Sequence, residues 1–163
     1  MARKINLETR SEPALYTLFG ISCHLKDYRL SFLLNQVLDL EFIKMEDFRA
    51  AVAPRKETDG FSFYFCRDED HFNCYYLLAN RGEESVLLPE LRQTDIQLLL
   101  EGPFKKAQKE HLLGAIKSIP NVLTAFEIRF ETIRNYENFL TDLEIHFMTI
   151  TRDLKMKYSP FKK

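Results

Sequence analysis

The hairpin spanning residues 61–67 and 72–80 most constrains what this chain can fold into. Phe61, Phe63 and Phe65 fall on one side of its first strand, and Ser62, Tyr64 and Cys66 on the other. In the second strand Phe72, Cys74, Tyr76 and Leu78 alternate with Tyr75, Leu77 and Ala79. Side chains alternate across a strand, so both faces of the hairpin are apolar. Both must be covered, because large contiguous apolar patches are not left to water. Helices can cover one face; the other needs the C-terminal segment or a second subunit. A chain of 163 residues, with 14 Phe and 7 Tyr as large packing units, can build such a core as one domain.

The covering helices are read from periodicity. Leu30, Leu33, Leu34, Val37 and Leu38 recur at helical spacing and predict a helix over 26–38, with Asp27 at its positive end. A buried strand over 14–23 precedes it, and an edge strand at 5–7 is expected before that. Residues 41–44 and 48–53 read as one bent strand or two short ones, and 54–60 as a polar loop. A second helix over 104–118 carries Leu112, Ala115, Ile116 and Ile119; Pro120 ends it and a strand follows over 122–128. In the tail, Tyr136, Leu140, Leu143, Phe147, Ile150 and Leu154 form one apolar seam of a helix, widened by Phe139, Ile145 and Met148. The expected fold is α+β: a largely antiparallel sheet packed by two helices, with an additional C-terminal amphipathic helix. Residues 1–132 form the domain; 133–163 form the helix and a basic tail. That seam packs either on the domain or on a partner.

Residues 85–102 organise the rest. Val86-Leu87-Leu88 reads as a strand ended by Pro89, which lacks a backbone N–H. After a connection, Ile96, Leu98 and Leu100 alternate with Asp95, Gln97 and Leu99 in a half-buried strand stopped by Gly102-Pro103. Glu90 and Asp95 are candidates for a carboxylate pair, or for a turn residue and a structural hydrogen-bond acceptor. The run Leu88-Pro89-Glu90, three residues, then Thr94-Asp95-Ile96 resembles the signature of the bacterial IPExxxVDY family. Residues 24–30 leading into Leu33-Leu34-Asn35, and 116–128 around Ile119-Pro120, are similar to it as well. The likeness spans roughly residues 4–140. Leu88, Thr94 and Ile96 stand where that family usually has Ile, Val and Tyr. The resemblance implies a cytoplasmic bacterial protein and no assigned activity.

Other chemical candidates are local. Cys23-His24 sits at a strand-to-helix junction, where a thiolate nucleophile or a buried cysteine beside a capping histidine are both readable. Cys66, His71 and Cys74 are the most metal-like group, since a hairpin could bring Cys66 opposite Cys74. Asp70 or a distant His would have to serve as the fourth ligand, the spacing matches no zinc ribbon, and facing strand cysteines are usually buried apolar residues. Lys105, Lys106 and Lys109 open the second helix and suit an anion or a wet face. The five glycines are not clustered into a phosphate loop, and no cofactor or metal is expected. A net charge of −1 argues against nucleic acid, and no apolar run is long enough for a membrane span. The three cysteines are too few and irregular for a secreted disulfide framework. Glu8 and Glu12 interrupt the basic start, and Gly20 stands where a lipoprotein signal ending at Cys23 would want a larger aliphatic residue. A cytoplasmic protein is therefore expected.

These readings favour a non-catalytic protein-interaction or self-associating module, working as a homodimer or with a protein partner through the tail seam. The alternative is a small-molecule sensor or enzyme, with a binding site gathering Glu90, Asp95, His24, Asp27 and Arg29.

Overall fold

The computed structural model describes residues 15–49 and 60–158, with side chains described as far as Arg152. The expected strand at 5–7 and the loop after residue 49 lie outside the described residues. Strands β1 (Tyr16–Cys23), β2 (Ile43–Phe48), β3 (Phe61–Asp68), β4 (Asn73–Ala79), β5 (Ile96–Glu101) and β6 (Val122–Ile128) form one sheet in the order β2-β3-β4-β5-β1-β6. Every pairing is antiparallel. Helix α1 (Asp27–Leu38) follows β1, α2 (Lys106–Lys117) joins β5 to β6, and α3 (Tyr136–Tyr158) ends the described chain. This is the α+β architecture read from the sequence, C-terminal helix included.

The doubly apolar hairpin explains the layering. Tyr64, Cys66, Tyr75 and Leu77 face a core shared with Leu30 and Leu34 of α1 and Leu112 and Ile116 of α2. Phe61, Phe63, Tyr76 and Leu78 face a second core closed by Phe139, Leu140, Leu143 and Ile150 of α3. Thus α3 lies on the sheet of its own chain. Leu140 is fully buried there, and each such side chain contributes roughly 1.5–3 kcal/mol of apolar burial. The rings of Phe65 and Phe147 meet with centroids 4.4 Å apart and planes tilted by 46°, and His146 packs edge-on against Phe48 and Phe63, each at 5.5 Å. Its Nε2 lies 3.0 Å from the Glu46 carbonyl, which anchors the helix to edge strand β2.

Two expectations need correction. Val86–Leu88 is not a strand; it makes one isolated bridge, Arg81 to Val86, and Leu87 and Leu88 are buried in a covered loop. Nor is β5 half-buried. It lies between β4 and β1 with helices over both faces, so Gln97 and Leu99 are as inaccessible as Leu98 and Leu100. The polar Gln97 hid that burial from an alternation reading. The expected pieces at 41–44 and 48–53 resolve, within the described residues, into the single strand β2.

Candidate functional site

The stretch that resembles a family signature builds a junction. Pro89–Leu91 is one 3-10 turn, with Pro89 in its first position, where a missing N–H costs nothing. Asn80, at the end of β4 and wholly inaccessible, holds this turn from beneath. Its Nδ2 donates to the Leu91 and Thr94 carbonyls at 3.0 and 3.2 Å, and its Oδ1 accepts from Leu88 N–H at 2.9 Å. Thr94, also inaccessible, donates its hydroxyl to Leu91 O at 2.8 Å and accepts from Gln97 Nε2 at 2.6 Å. Gly20 makes room for this packing: a Cβ there would fall 2.9 Å from Thr94 Cγ2 and 2.7 Å from Ile128 Cδ1.

Asp95 and Glu90 serve different joints. Asp95 Oδ2 accepts from Cys23 N–H at 2.9 Å, and its Oδ1 accepts from Arg81 Nε at 3.2 Å. Arg81 also donates to the Arg92 carbonyl. Asp95 therefore ties the β1–α1 turn to the end of β4. Glu90 Oε2 accepts from Arg134 N–H at 3.1 Å, on the approach to α3. Asp95 meets Cys23 and Arg81 while Glu90 meets Arg134, so the two carboxylates engage different partners, whereas a carboxylate pair for acid/base chemistry would share one cleft.

His24, Asp27 and Arg29 gather at the start of α1. His24 N–H donates to Asn121 O at 2.9 Å, and its ring is exposed. Asp27 Oδ2 accepts from Tyr64 Oη at 2.9 Å. Burial, then this acceptor, raises the Tyr64 pKa well above its ordinary value. The Arg29 guanidinium lies 5.9 Å from the Phe32 ring centroid, within cation–π range.

The cysteine readings separate cleanly. Cys23 is buried while His24 faces water, so the two do not form a nucleophile–base pair. Burial pushes all three thiols up in pKa, away from the reactive thiolate. The register sets Cys66 opposite Tyr75 and Cys74 opposite Arg67, which puts the two cysteines on opposite faces of the sheet. His71 instead meets Asp68 Oδ2 at 2.9 Å. Among the described residues no His, Cys, Asp and Glu group is arranged to hold a metal ion, and no helix is long and apolar enough to cross a membrane. At the start of α2, Lys109 is paired with Glu127 at 3.2 Å. The recess of about 390 Å³ beside it also includes Arg129, which is paired with Glu131 at 3.6 Å.

Of the seam residues, Leu140, Leu143 and Ile150 are buried against the sheet, and Tyr136 and Phe147 pack half-buried at its margin. The Leu154 side chain lies outside the described residues. The described part of the seam is thus filled from within the chain, and among the described large apolar side chains of α3 Ile145 and Met148 are the largely exposed ones.

Two features escaped the sequence reading. Tyr28 and Phe32, one turn apart on α1, are 66% and 52% exposed. Their signal was present, since both fall off the Leu30/Leu34 stripe. Beneath α3, Tyr76 Oη donates to Glu101 Oε1 at 2.6 Å and Tyr16 Oη to Glu144 Oε2 at 2.9 Å. Burial, followed by these carboxylates, drives both tyrosine pKa values far up. Compared with known proteins, the chain matches no family profile, and no curated protein matches it.

Proposed function

We propose that this is a non-catalytic protein-interaction module, and that it docks a protein partner, in the simplest case a second copy, through the outer face of α1. The observation that carries this reading is the Tyr28–Arg29–Phe32 surface: two exposed aromatic rings one helical turn apart, with a guanidinium beside one of them. Tyr and Arg are enriched among the residues that dominate the energetics of protein interfaces: Tyr buries a large area with little loss of rotamer freedom, and Arg brings a planar, multiply donating polar group. His24 borders this surface, so His24 and Arg29 belong to it as binding residues, while Asp27, Asp95 and Glu90 act as supports. The same proposal includes membership of the IPExxxVDY family, a bacterial origin and a cytoplasmic location, supported by the residues already named.

The thiols are raised in pKa and the two carboxylates of the signature are engaged in separate joints. These facts favour docking over catalysis. The test compares the intact chain with a Tyr28→Ser/Phe32→Ser variant by sedimentation equilibrium and by capture of partners from native lysate. The variant is expected to remain folded and to lose the complex. A complex of unchanged composition and affinity would reject α1 as the docking surface.

A further inference from the structure

A recess of about 400 Å³ lies between the C-terminal end of α1 and the β3–β4 turn. Five carboxylates line it: Asp39 and Glu41 from the α1 end, and Asp68, Glu69 and Asp70 from the turn. The whole chain carries a net charge of only −1, so this is a strong local concentration. Arg67 also borders the recess, but its guanidinium lies 6.0 Å from the centroid of Phe65, a ring packed on the opposite side of the sheet. His71 borders it as well, its Nδ1 2.9 Å from Asp68 Oδ2, which leaves Asp39, Glu41, Glu69 and Asp70 as the other rim carboxylates. The last turn of α1 carries no basic residue, so the negative end of its dipole adds to the field. Asn35 shapes the wall: its carbonyl accepts from Leu40 N–H at 3.1 Å and its Oδ1 from Phe42 N–H at 2.8 Å, which turns the chain so that Asp39 and Glu41 flank the opening.

The floor supplies an independent sign of a ligand. Tyr75 is 5% exposed, its ring held edge-on by Phe42 at 6.3 Å and Phe104 at 5.9 Å. It lines the recess, and its hydroxyl has no hydrogen-bond partner among the described residues. Burial, then the charge of Asp68, pushes its pKa up to about 12, so the hydroxyl stays a donor and acceptor. Among the described residues the enclosed side-chain polar atoms without a partner are Asn73 Oδ1 and Gln97 Oε1; the Tyr75 oxygen is not one of them, so it opens onto the recess, where a ligand can meet it. The carboxylates surround the recess without converging: among the described residues no group of them is placed to hold a metal ion. Dispersed negative charge around a volume within the usual range of ligand sites suits an extended cation better than a point charge.

We propose that this recess binds a small aliphatic polyamine, its ammonium groups taken by the rim carboxylates and its chain laid over Tyr75, whose hydroxyl accepts from an N–H. The test is calorimetric titration of the full chain with spermidine at low ionic strength. Magnesium chloride and N-acetyl-lysine amide are run alongside, with a Glu41→Gln/Asp68→Asn variant and a Tyr75→Phe variant. Saturable one-site binding of spermidine is expected, weaker by about fivefold for each carboxylate neutralised. Tyr75→Phe, which removes only the hydroxyl and leaves the ring packing, is expected to weaken it by about threefold. Absence of saturation, equal affinity in both variants, or displacement by magnesium at matched ionic strength would overturn the proposal. So would tighter binding of N-acetyl-lysine amide, which would assign the recess to a lysine side chain.

Discussion

Replacing Asn80 with Ala asks whether the Leu88–Asp95 stretch is a structural joint. The substitution deletes three hydrogen bonds in a place without access to water. They do not count equally. Leu91 O keeps two other donors, Thr94 N–H at 2.9 Å and Thr94 Oγ1 at 2.8 Å, so its loss is small. Leu88 N–H loses the acceptor that Asn80 Oδ1 provides, and Thr94 O loses an amide donor. A buried polar group left unpaired costs about 1–3 kcal/mol. Two such groups, with partial relaxation, put the expected loss at about 3–4 kcal/mol. That is a large share of the roughly 5–15 kcal/mol that holds a domain together. Glu90→Gln is the control, because it keeps an acceptor for Arg134 N–H at an exposed site and is expected to cost under about 0.5 kcal/mol. Urea unfolding followed by far-ultraviolet circular dichroism reads both. A loss below about 1 kcal/mol for Asn80→Ala would refute the reasoning, since that is the scale of one ordinary hydrogen bond.

Two further outcomes follow from the α3 face. Tyr16 and Tyr76 are raised in pKa by burial and by their carboxylate acceptors, so their stabilisation is fully present below the unfolded tyrosine pKa and is lost as pH rises beyond it. Above pH of about 10 each should cost up to about 1.4 kcal/mol of stability per pH unit, and Tyr76→Phe should flatten the slope in urea midpoints measured across that range. Leu140→Ala should cost about 2–5 kcal/mol, because its side chain is fully enclosed under α3, whereas Met148→Ala, at 62% exposure, should stay within about 0.5 kcal/mol. Equal effects of the two in thermal unfolding would mean that α3 does not pack as described.

Much of the fold was legible where one periodicity dominated. The Leu30/Leu34 stripe, the Leu112/Ile116 stripe and the Pro120 break fall where α1, α2 and β6 lie. The tail seam announced a helix, but spacing alone does not say whose surface fills it; the aromatic side of β3 and β4 does so here. Strand pairing was less legible. Both faces of the hairpin are apolar, so nothing in the alternation distinguished a register with Cys66 facing Cys74 from the one found. The roles of Glu90 and Asp95 depended on partners far along the chain, Arg134 and Cys23, which no local pattern names. The acidic recess was hidden for the same reason: Asp39 and Asp68 belong to separate elements, and each alone reads as a solvated turn.

The docking role of α1 is tested most directly by site-specific photo-crosslinking in native lysate. A benzophenone amino acid replaces Phe32 in one form of the chain and Met148 in another; both positions are well exposed. The account predicts a discrete protein adduct from position 32, either with a second copy or with a partner, and none from position 148. No adduct from position 32, or the same adduct from both positions, would contradict it.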